Sequence, residues 1–88
     1  MVKLTIKKTG LEKTIDCDFA GKSFVDSTFT AQFEDTRRFP EIAEDFDQLD
    51  QITVMNFPEE QIYTGYTRIT QLMATQYPGH VFIRLEKE

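Results

Sequence analysis

Eighty-eight residues with a net charge of −5, 40% apolar residues, eight Phe and no Trp make one domain, residues 1–88, with room for a single modest core. The apolar share excludes a disordered chain, and the negative balance disfavours binding to nucleic-acid phosphate or an anionic lipid surface. The lone cysteine, Cys17, rules out a disulfide within these residues, and no run approaches the roughly 20 apolar residues that span a bilayer.

In chain order, Val2, Leu4 and Ile6 alternate with Lys3, Thr5 and Lys7, the period of a strand with one wet face. Lys8-Thr9-Gly10 is a turn signal. Leu11, Ile15, Cys17 and Phe19 then share one parity, so 2–8 and 11–19 are expected to form a β-hairpin, followed by a loop over 20–23. From Phe24 to Phe33 the odd positions Val25, Phe29, Ala31 and Phe33 are apolar and the even ones mostly polar, which predicts a third strand. After a polar connector, Pro40 suits a first helical turn. Phe39, Ile42, Ala43, Phe46 and Leu49 follow helical spacing and predict a short helix over 40–50, which needs tertiary packing to form.

Gln51–Phe57 reads as a strand with apolar residues on both faces, and Pro58-Glu59-Glu60 as a turn. Gln61–Thr75 is one long β-rich run in which Gly65 marks a bulge or bend. Tyr77-Pro78-Gly79-His80 is a type II turn signal, and a last strand follows from Val81. The order β-β-β-α-β-β-β, with short connections, predicts an α+β domain: a mostly antiparallel sheet with one short acidic helix packed on one face. Phe24, Tyr63 and Phe82 are the aromatic residues expected on the uncovered face, where they would form a candidate interface.

The motifs that carry chemistry are mostly absent. Gly21-Lys22-Ser23 echoes the end of a P-loop, but the motif's upstream glycine would fall on Asp16 and a strand follows where a helix should. Asp16-x-Asp18 lacks accompanying metal ligands, and one Cys with one His cannot make a usual zinc site. Acids on both sides of Cys17 discourage its thiolate. No catalytic residue, metal site or cofactor is assigned, and an enzyme is not expected.

Charge is informative. Residues 34–60 hold nine acids and two bases, a net −7, while the flanking segments are each near neutrality. Glu41, Glu44, Asp45, Asp47 and Asp50 lie off the helix's apolar stripe and are the candidate partner-binding residues, suited to a basic protein surface that otherwise binds nucleic acid. The alternative is a small-ligand site, such as one for a nucleotide signal, built from Arg37, Arg38, Tyr63, Tyr66 and Arg68. A structural subunit of a virion that assembles through strand edges is a further alternative, and homo-oligomerisation is left open.

The segment FPEIAEDFDQLDQITVMNFPEEQIYTGYTRITQLM, the Phe-x-x-x-Phe spacing within Ser27–Phe33 and the terminal VFIRLEK resemble small phage and prophage proteins of gut Firmicutes. The resemblance implies a phage setting and no established function, and it carries over no functional residue. With no disulfide, cytoplasmic residence is expected, in the host cell if the chain is phage-encoded. With the resemblance, the expected function is a small acidic interaction protein that binds and occludes a host or virion protein.

Overall fold

The computed structural model describes residues 2–87. Seven strands and one helix follow the order β1 (Val2–Lys8), β2 (Leu11–Lys22), β3 (Phe29–Glu34), α1 (Phe39–Asp45), β4 (Gln51–Asn56), β5 (Glu59–Tyr63), β6 (Tyr66–Ala74) and β7 (His80–Lys87). All strand pairs are antiparallel and belong to one sheet of order β5-β4-β1-β2-β3-β7-β6. The expected antiparallel α+β domain is present, with one strand more than expected. Among the described residues no helix is long and apolar enough to cross a membrane.

The sheet is not flat. β5 lies at one edge and β6 at the other, yet only Thr64 and Gly65 separate them in the chain. Seven flat strands at about 4.8 Å spacing would hold their edges about 29 Å apart. The three residue steps from Tyr63 to Tyr66 reach about 11 Å at most. The sheet therefore rolls up, and β5 and β6 become two halves of one bent stave that joins β4 to β7. The extents of 29 × 28 × 27 Å, almost equal in all directions, agree with a rolled sheet. Gly65 supplies the bend with φ +85°, a conformation that side chains resist.

Inside the roll lie Leu4 and Ile6 of β1, Cys17 of β2, Phe29, Ala31 and Phe33 of β3, Ile52 and Val54 of β4, and Val81, Ile83 and Leu85 of β7, all buried. The expected alternations hold in β1, β4 and β7 and within Phe29–Phe33. The helix completes the core from outside: Ile42, Phe46 and Leu49 are buried, and the Phe46 ring stacks on Phe33 at 5.6 Å. It is shorter than expected, ending at Asp45, with a turn through 46–48. Lys8 Nζ donates to the carbonyls of Glu44 (2.5 Å) and Asp47 (3.1 Å), placing a cation where the helix leaves carbonyls free.

Four expectations need correction. The loop expected over 20–23 is mostly strand, since β2 runs to Lys22 and pairs Ala20, Gly21 and Lys22 with Ala31, Thr30 and Phe29. The third strand begins at Phe29, because the chain turns through 24–26 and Asp26 Oδ1 closes the turn by accepting from the amide (3.2 Å) and hydroxyl (2.8 Å) of Thr28. Phe24 and Val25 are left fully exposed at that turn. Glu59 and Glu60 belong to β5, so the turn after β4 is confined to Phe57 and Pro58, whose peptide bond is cis. Finally, Phe19 does not face the core with Leu11, Ile15 and Cys17. A β-bulge shifts the register between Cys17, opposite Phe33, and Phe19, opposite Gln32. The extra residue, Asp18, turns Phe19 outward.

Candidate functional site

The bulge builds the most distinctive surface of the molecule. The registers Phe19↔Gln32, Gln32↔Phe82 and Phe82↔Met73 run one outward row across β2, β3, β7 and β6. Phe19 is 43% exposed and Met73 44%, and Phe19 meets Phe82 at 6.3 Å between ring centroids. Arg84 lies 5.9 Å over the other partner of that pair, Phe82. Tyr77, 54% exposed in the turn before β7, sets its edge against the His80 ring at 6.0 Å.

Between these rings lies an open hollow of about 530 Å³ lined by Asp18, Phe19, Gln32, Tyr77 and His80. Its polar floor is ordered. His80 Nδ1 is 2.7 Å from Asp18 Oδ2, and Gln32 Nε2 donates to the same oxygen at 3.0 Å. These bonds, that from Gln32 and then that from His80, hold the Asp18 carboxyl below its ordinary range. An Nδ1–H shared with a carboxylate leaves the far nitrogen, Nε2, as an acceptor in the neutral ring. Asp18 and His80 are 62 residues apart, and the closure of β2 on β3 and β3 on β7 is what joins them.

The sequence-nominated acids divide. Asp45 is half-buried and held by Arg37 (2.8 Å) and Lys13 (3.2 Å), which lower its carboxyl against the opposing effect of burial. Glu41 pairs with Arg38 at 3.3 Å. Glu44, Asp47 and Asp50 are exposed, and no ion pair engages them among the described residues. Glu44 and Asp47 line a groove of about 500 Å³ between the helix and Thr67, Arg68 and Ile69 of β6.

The nominated ligand residues are not brought into one pocket. Arg37 forks onto Asp35, with Nη2 2.9 Å from Oδ2, while its Nη1 takes Asp45. Arg38 pairs with Glu41, and Arg68 with Glu86 at 2.6 Å. Tyr66 is buried, donates its hydroxyl to Ser27 O at 2.9 Å and packs on Phe29, with its phenol shifted upward by burial and then by Tyr63. Tyr63 is half-buried against Phe29 and Tyr66 and donates its hydroxyl to Gln61.

Burial, then Asp18 and Asp16, push the Cys17 thiol up to about 12, so it is a core side chain and not a nucleophile. Among the described residues no three His, Cys, Asp or Glu side chains gather as metal ligands. The hollow offers acceptors between aromatic walls, which is equipment for binding a donor-rich group. Compared with protein-family models, curated proteins and solved structures, the chain matches none.

Proposed function

We propose that the chain is a small protein-interaction module that binds and occludes a protein with a basic surface, in the phage setting its sequence resembles. The supporting observation is the outward aromatic row Phe19–Gln32–Phe82–Met73 with Tyr77 beside it. The alternation of β2 would place Phe19 in the core, and the bulge at Asp18 re-aims it to the surface. Exposed aromatic and Met side chains are the residues that anchor protein interfaces.

The occupant is a basic protein because the chain is acidic, at −5. A second copy would bring the same charge and be repelled. Glu44 and Asp47 lie away from the aromatic row, against the start of β6, whereas Tyr77 follows its end. They steer a basic partner into encounter, and the aromatic row holds it.

Tagged wild-type protein and a Phe19→Ser/Tyr77→Ala double variant are passed over the same Firmicutes lysate. Both side chains are half exposed, so the variant is expected to melt within roughly 4 °C of the parent. The expected result is a basic protein retained by the parent and lost by the variant. A protein retained equally by both would place the contact elsewhere.

A further inference from the structure

The aromatic face has a polar centre, and that centre selects one kind of side chain. Asp18 Oδ2 is occupied by His80 and Gln32, but no hydrogen bond engages Asp18 Oδ1, Gln32 Oε1 or His80 Nε2 among the described residues. All three are acceptors when the imidazole is neutral. The Asp18 side chain is 41% exposed and carries the charge of the site, and no Lys or Arg lines the hollow. The walls are the rings of Phe19 and Tyr77.

A charged acceptor, the Gln32 amide oxygen and flanking rings complement a planar, donor-rich cation, and Nε2 of the neutral imidazole adds a further acceptor. Arginine fits each part: its guanidinium has five donors in a rigid plane, no acceptor, weak hydration and a preference for aromatic faces. An ammonium would find the charge but not the plane, and an anion would meet Asp18 directly. We infer that the Asp18–Gln32–His80 hollow is a receptor for an arginine side chain presented by the partner. This inference rests on the protein-binding reading above and names the group that the face takes.

The test needs no partner. L-Argininamide and its uncharged urea isostere, L-citrullinamide, are titrated into the isotopically labelled chain and followed by amide chemical shifts. Argininamide is expected to move Asp18, Gln32, Tyr77 and His80 together, and citrullinamide to leave them still. Asp18→Asn, which keeps the shape and removes the charge, is expected to weaken argininamide about fivefold; Glu60→Gln, on the exposed β5 strand, is expected to leave it unchanged. Equal response to the two amides, shifts centred on Glu44 and Asp47, or no shift would each overturn the assignment. The two readings fail separately. If the hollow ignores argininamide while Phe19→Ser/Tyr77→Ala still loses its protein, the receptor falls and the interface stands. If the hollow takes argininamide while the double variant keeps its protein, the interface reading falls.

Discussion

Arg37 holds two carboxylates at once, Asp35 and Asp45, and so ties the connector after β3 to the helix. Both carboxyls sit below their ordinary value: Asp35 chiefly through the Arg37 hydrogen bond, Asp45 through Arg37 and Lys13 against burial. Removing the guanidinium leaves two half-buried charges short of partners. Arg37→Ala is expected to cost about 1–2 kcal/mol near neutral pH in urea denaturation, a figure reduced for the partial exposure of the groups. The pH dependence has a definite sign. A carboxyl whose folded pKa is depressed stabilises the fold above its unfolded value, near 3.8, and that stability is lost as pH falls through the folded value. The parent should therefore lose stability on acidification below about pH 4, and Arg37→Ala should lose less over the same range. An unchanged acid profile would show that Arg37 does not bridge the pair. In the sequence Arg37 and Arg38 stand among Glu34, Asp35 and Glu41, so their neutralisation is legible there beside the ligand role the sequence suggests. Asp18 and His80 were not legible as a pair, because nothing local links residues that only strand closure joins.

Among the elements, the bent stave decides the architecture. The run after Gln61 reads as one long strand with a bend at Gly65, and the bend is where the chain passes from β5 to β6. Its consequence, closure of the sheet, was hidden because strand order depends on contacts far apart in sequence. Gly65→Ala is expected to cost about 1–2 kcal/mol, since φ is +85° there. Gly21→Ala, in β2, meets open space with an ordinary φ and is expected to change stability by less than about 0.5 kcal/mol. Equal effects in thermal melts would mean that Gly65 does not carry the bend. The hairpin of β1 and β2, the core faces of β3 and β4 and the buried stripe of the helix were all readable from periodicity, since each is a local pattern imposed by one apolar interior. The bulge was not, because one extra residue reverses every later parity without changing composition.

The whole molecule presents two unlike surfaces. One is the acidic groove of Glu44 and Asp47 against the start of β6; the other is the aromatic row with its Asp18–His80 centre. Composition alone pointed to the first, and of its five nominated acids two are absorbed in ion pairs. The second needed the register of four strands, although Phe82 was already among the aromatics expected on an open face. On the proposed reading, charge serves encounter and the rings serve residence. The most direct measurement is hydrogen exchange of the chain alone and with its captured protein bound. The account predicts slowed exchange at the Asp18 bulge and the turn over 75–79, where Phe19, Tyr77 and His80 are presented. Protection confined to residues 39–50 or to β5, with the bulge and that turn unchanged, would contradict it.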